Sequence, residues 1–173
     1  MKNYAFIDSQ NLHIEIKKLG WEIDYRKFRV FLKDKYKISK AFTFIGYDQN
    51  NQKLYNSLEK KGYKLIFKPI LKDKTGKIKG NCDAELVLHT MIEFDNFNKA
   101  IIISGDGDFY CLIKYLAKNN KLLKIGIPNK KSGCRIELIT VQQLTCQLFT
   151  AFVYHFLIEG RIALIVRILQ SET

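Results

Sequence analysis

The sequence predicts an α/β fold: three layers, α/β/α, around a central, mostly parallel sheet, followed by an apolar helical tail. Three observations carry this. Short apolar runs alternate with segments of helical period through residues 3–128. One run, "KAIIIS" (99–104), is uninterrupted and β-branched, as suits a strand covered on both faces. Helix punctuation falls between the runs, with Asp24 placed to cap a start and Gly20 and Gly62 placed to close ends.

In chain order, "NYAFI" (3–7) reads as a strand and "NLHIEIKKLG" (11–20) as a helix. "DYRKFRVFLKDKY" (24–36) is a second helix, with Tyr25, Phe28, Phe31, Leu32 and Tyr36 at helical spacing. "KAFTFIGY" (40–47) is a strand, "NNQKLYNSLEKKG" (50–62) a helix and "YKLIFKPI" (63–70) a strand. "DKTGKIKGN" (73–81) is a basic loop or hairpin. "DAELVLHTMIEF" (83–94) is a helix with Leu86, Val87, Met91 and Phe94 as its apolar stripe. After the strand at 99–104 come a helix, "DFYCLIKYLAKNN" (108–120), and a last strand, "LLKIGIP" (122–128). This order implies a doubly wound sheet with right-handed crossovers.

A chain of 173 residues is expected to hold one domain, residues 1–131, with an appendage, 132–173. Its four cysteines form no C-x-x-C pair, which argues against both a zinc site and a disulfide framework. "MKNYAFID" has no apolar core of a signal peptide, so a reducing cytoplasm is the expected location. The formal charge is +12, and since every lysine lies at or before Lys131, the excess belongs to residues 1–131. Such an excess favours a polyanionic partner through counterion release, although a lysine-rich surface also serves solubility. The segment 144–169 is strongly apolar, but its uncharged stretch, "LTCQLFTAFVYHFLI", is short for a bilayer and broken by Gln147 and His155. A membrane partner is therefore not expected. A helix pair over the sheet, a homodimer interface and an altered reading frame stay open.

Acidic residues stand where ligands of a parallel sheet bind, beyond the carboxyl ends of the strands. Asp8 follows the first strand, and Asp106 and Asp108 follow "AIIIS". Asp83 opens a helix after the basic loop, and Asn11 sits three residues past Asp8. Two carboxylates ~4 Å apart repel by roughly 4 kcal/mol at an effective dielectric of ~20. A gathered set must take up protons or a cation, and hard oxygen donors suit Mg²⁺ or Mn²⁺. Gly105 and Gly107 are expected to permit the turn that presents Asp106 and Asp108. Asp108 also reads as an ordinary cap of the helix behind it, and His89 as a half-buried polar residue.

Three blocks, "FIDSQNL" (6–12), "KGNCDAELVLHTM" (79–91) and "ISGDGDFYCLIKYL" (103–116), resemble, in order and spacing, the NYN family of PIN-like nucleases. The resemblance implies a Rossmann-like fold and a carboxylate pocket binding Mg²⁺ or Mn²⁺. It also implies cleavage of RNA; single-stranded RNA is the expected partner. Carried over, the acidic positions are Asp8, Asp83, Asp106 and Asp108, the amide is Asn11 and the small hydroxyl is Ser104. Ser9 stands where the family more often has glycine, and the tail does not resemble the usual end of the domain.

The reading is a Mg²⁺/Mn²⁺-dependent endoribonuclease in which Asp8, Asp83, Asp106 and Asp108 hold metal and Asn11 orients the ligand set. Ser104, Lys77 and Lys79 would meet substrate, and Lys130 and Lys131 would help guide the backbone. Two alternatives stand beside it. One is a non-catalytic RNA-binding or regulatory module using the same pocket. The other is a Mg²⁺-dependent phosphatase, disfavoured because Gln10 occupies the place of the second acid in a D-x-D-x-[TV] run.

Overall fold

The computed structural model describes residues 2–69, 71–72, 78–79 and 82–128. Five parallel strands form the central sheet: β1 (Asn3–Asp8), β2 (Ile38–Tyr47), β3 (Tyr63–Pro69), β6 (Ala100–Ile103) and β7 (Leu122–Gly126). Their order across the sheet is β3-β2-β1-β6-β7. The chain winds outward from β1 in one direction, then returns to pair β6 with β1 on its other side. That reversal leaves a topological switch point between β1 and β6. The basic loop region is a separate antiparallel hairpin, β4 (Leu71–Lys72) with β5 (Ile78–Lys79).

Helices α1 (Ser9–Lys18), α2 (Tyr25–Tyr36) and α3 (Gln52–Lys60) cover one face, and α4 (Asp83–Ile92) and α5 (Tyr110–Lys118) the other. The alternation of a strand's side chains explains the uninterrupted apolar runs. On β1, Ala5 and Ile7 enter the α1–α3 core with Leu12, Phe28, Leu32 and Leu58. Tyr4 and Phe6 enter the α4–α5 core with Phe42, Leu86, Leu112 and Leu116. Phe6 and Phe42, register partners on β1 and β2, stack with centroids 5.4 Å apart.

Local signals behaved largely as their chemistry dictates. Asp24 caps α2 through the N–H groups of Arg26 and Lys27. Gly62, at φ +87°, turns the chain out of α3 into β3 in a conformation that disfavours any other residue. The segment expected as one helix over 50–62 is a 3₁₀ turn, Gln49–Asn51, capped by Asp48, and then α3. The expected stripe of α4 is corrected. Leu86 and Thr90 are its fully buried residues, Val87 and Phe94 pack at the core margin, and Met91 is exposed. Thr90 escapes notice because its hydroxyl is satisfied within the helix, donating to the Leu86 carbonyl at 2.7 Å. His89 is half-buried and meets Phe42 and Phe44 edge-on. Among the described residues no helix is long and apolar enough to cross a membrane. The tail, 132–173, with its helical, dimer and membrane readings, lies outside the described residues, as do Lys77, Lys130 and Lys131.

Candidate metal centre

Asp8 is the last residue of β1 and the N-cap of α1. Strand parity turns it toward the α4–α5 layer, like Phe6 two residues earlier. Phe6 pairs with Ile102 and Ile7 with Ile103, so continuing the register sets Asp8 beside Ser104. The Ser104 hydroxyl donates to Asp8 Oδ2 at 3.1 Å and accepts the Asp106 N–H at 3.1 Å. Asp8 Oδ1 accepts the Asn11 N–H at 3.0 Å. Asn11 Oδ1 in turn accepts the Gly105 N–H at 2.8 Å. The loop after β6 is thus tied to the end of β1 and to the first turn of α1.

Beyond this brace the chain forms a 3₁₀ turn, Gly107–Phe109, whose cap is Asp106: its Oδ1 accepts the Asp108 N–H at 3.0 Å. Helix α5 has Phe109 at its N-cap and no side-chain capping bond, so the Asp108 side chain does not take the capping role read for it. Oxygens of Asp83, Asp106 and Asp108 lie within 4.8 Å of one another, the first two half-buried and the third exposed. An octahedral Mg²⁺ with bonds of ~2.1 Å places opposite oxygens ~4.2 Å apart, so this donor set is close to the size and chemistry the ion requires. The fit rests on three hard anionic donors from two separate elements.

Asp8 stands alongside that triad rather than within it. It is buried, and burial pushes its carboxyl above the ordinary aspartate value, with the Asp106 charge adding to the effect. The Asn11 N–H and the Ser104 hydroxyl pull the other way. Ser104 is fully buried, so it positions acids here rather than facing a substrate. The oxygen of the Asn11 amide is likewise committed to the backbone of the loop.

The expectation for the glycines is corrected. Among the described glycines only Gly20 and Gly62 have positive φ, so Gly105 and Gly107 supply no left-handed turn. A Cβ on Gly105 would meet Asn11 Oδ1 at 3.6 Å, an ordinary contact. Side-chain hydrogen bonds hold this loop. Sequence reasoning also passed over Lys68 at the end of β3, whose ammonium lies 3.1 Å from Glu85 on α4. A basic residue alternating with apolar ones near a strand end was the signal. Next to Asp83, the Cys82 thiol is pushed up to about 11 by burial, then by the Glu85 and Asp8 carboxylates. Lys79 lies in β5, on the hairpin that precedes α4.

A parallel sheet wound in this order, with carboxylates at its switch point, defines a Rossmann-like α/β protein whose acidic cluster could hold a metal ion. The chain belongs to the NYN domain family, PIN-like and nuclease-like: the family model matches residues 4–145. No curated protein matches the sequence significantly. A crystal structure of a protein of unknown function from Vibrio parahaemolyticus is similar in fold. Its TM-score is 0.62 at 22% identity, over 73% of this chain and 79% of that one.

Proposed function

We propose that the protein is a Mg²⁺- or Mn²⁺-dependent endoribonuclease of the cytoplasm, acting on single-stranded RNA at the β1–β6 mouth. The observation that carries the reading is the convergence of Asp83, Asp106 and Asp108 within 4.8 Å at the switch point of an NYN domain. Asp83, Asp106 and Asp108 hold the metal, and Asp8 adds negative charge behind them. When bound, the ion supplies Lewis acidity toward a phosphodiester and its attacking water. The protein's own groups set the geometry. Asn11 and Ser104 fix the β6 loop, so Asp106 and Asp108 are placed before substrate arrives. Lys79 in β5, with Lys77 just before it in the sequence, is assigned to steering the RNA backbone. Asp8 is buried with both oxygens engaged, unlike the exposed nucleophile that a phosphatase reading needs.

Purified protein is expected to cut single-stranded RNA with Mn²⁺ or Mg²⁺, leaving 3′-hydroxyl and 5′-phosphate ends, and to stop on addition of EDTA. Asp106→Asn should abolish cleavage while the protein stays folded. Wild-type rates in that variant would remove the assigned role. RNA binding without cleavage under every divalent ion would make the protein a non-catalytic RNA-binding module.

A further inference from the structure

The opposite helix layer carries a feature that the carboxylate mouth does not use. Helix α2 packs on β2 and α3 on β3, and between the two helices runs a groove of about 710 Å³. Five of its eight lining residues are cations, Arg26 and Arg29 from α2 and Lys53, Lys60 and Lys61 from α3 with its C-cap; none is acidic. Two of the five are occupied. The Arg29 guanidinium donates to the carbonyls of Gly62, Ile38 and Ser39, bracing the groove, and Lys61 donates to the Ser57 hydroxyl. Arg26, Lys53 and Lys60 are exposed and have no ion pair or side-chain hydrogen bond among the described residues. Asp24, the nearest acid in sequence to Arg26, is turned to the N–H groups of α2.

The arrangement is linear. Lys53, Asn56, Ser57 and Lys60 share one face of α3, and Lys53 to Lys60 spans about 10 Å along the axis. At roughly 3.4 Å per phosphate of a stacked strand, that is the length of about three consecutive phosphates. A lone anion needs a cradle; a row of unneutralised cations with amide and hydroxyl groups between them fits a chain of anions. No aromatic ring lines the groove, so it has nothing on which bases would stack. One end of it lies toward the edge of the sheet that carries the mouth. Helix α3 follows the carboxyl end of β2, so Lys53 in its first turn stands at the sheet edge where the carboxylates lie. The lateral step from β1/β6 to β2/β3 is two strand spacings, about 10 Å.

We propose that the α2–α3 groove is a second nucleic-acid contact, holding the phosphodiester backbone of an RNA strand away from the carboxylate centre, with Arg26, Lys53 and Lys60 as the phosphate ligands. The choice of RNA rests on the reading given under Proposed function; the recognition of phosphate does not.

The test is fluorescence anisotropy of a short labelled oligouridylate across a salt titration, in EDTA, so that binding is read without cleavage. The variant is Arg26→Ala/Lys53→Ala/Lys60→Ala, all on exposed side chains. Three lost phosphate contacts should flatten the log–log salt dependence by about 2 and weaken binding roughly 100-fold at ~0.1 M salt. A control of equal charge, Lys17→Ala/Lys33→Ala/Lys118→Ala, should change far less. Equal losses in both triples would overturn the proposal, because charge alone would then explain them. A groove triple that keeps the wild-type slope would overturn it directly. An oligothymidylate should lose affinity in parallel, and an unaffected one would overturn the assignment to backbone phosphate. Since no metal is present, a protein that binds through the groove but never cleaves sinks only the nuclease reading. One that cleaves but ignores the groove variant sinks only this one.

Discussion

Replacing Asp106 by Asn should make the metal-free protein more stable and the metal-bound protein less so. The triad holds its oxygens within 4.8 Å. At that distance two unit charges repel by about 0.9 kcal/mol in water and by about 3.5 kcal/mol at an effective dielectric of ~20. Asp108 is exposed, so the low end applies, near 1 kcal/mol per pair. Asp106 takes part in two of the three pairs, and its removal relieves about 2 kcal/mol, with the neighbouring Asp8 adding in the same direction. Against this stands the hydrogen bond from the Asp108 N–H, which an Asn carbonyl still accepts, so the loss stays below about 1 kcal/mol. A net gain of 1–2 kcal/mol corresponds to a Tm higher by roughly 5 °C in a chain of this length. The assay is thermal melting in EDTA and in Mn²⁺. Wild type should gain about 2.7 kcal/mol at a metal concentration ~100-fold above Kd, and the variant little. A variant that melts lower than wild type in EDTA, with both proteins raised equally by Mn²⁺, would refute the reasoning.

Other expectations follow from the same geometry. Because Asp8 is raised above 3.8 in the fold, the native state keeps a proton that the unfolded chain has released. Metal-free stability should therefore fall as pH rises from 3.8 through the native value, and urea melts of Asp8→Asn should lack that fall. Gly105→Ala should melt at or slightly above wild type, by up to about 1 kcal/mol, since its Cβ meets only ordinary contacts and φ is not positive. Asn11→Ala should cost about 1–3 kcal/mol by leaving the Gly105 N–H without its acceptor, measurable by denaturant titration. Iodoacetamide at mildly alkaline pH should label exposed Cys111 well before Cys82, which is buried and whose pKa of about 11 keeps it a thiol; peptide mapping reads the order.

Much of the layer architecture was legible because strand and helix periods differ and the segments are short. "AIIIS" had to be covered on both faces, and Asp24 and Gly62 marked a helix start and a helix end by chemistry that acts within a few residues. Along α4 the same logic misplaced Met91 and missed Thr90, because burial there depends on which part of the helix faces β1 and the α5 layer, information no single helix contains.

The sequence by itself determined that acids would stand at the carboxyl ends of β1 and β6 and at the start of α4, since each follows its own element by one or a few residues. Tertiary structure decided which of them meet. Parallel pairing of β1 with β6 brought Ser104 between Asp8 and Asp106, and the 3₁₀ turn capped by Asp106 set Asp108 near Asp83. It also gathered Arg26, Lys53 and Lys60, scattered over 35 positions of a lysine-rich chain, along one groove. The physical reason is the same in each case: short-range chemistry sets an element, but only the packing of distant elements sets the distance between charges.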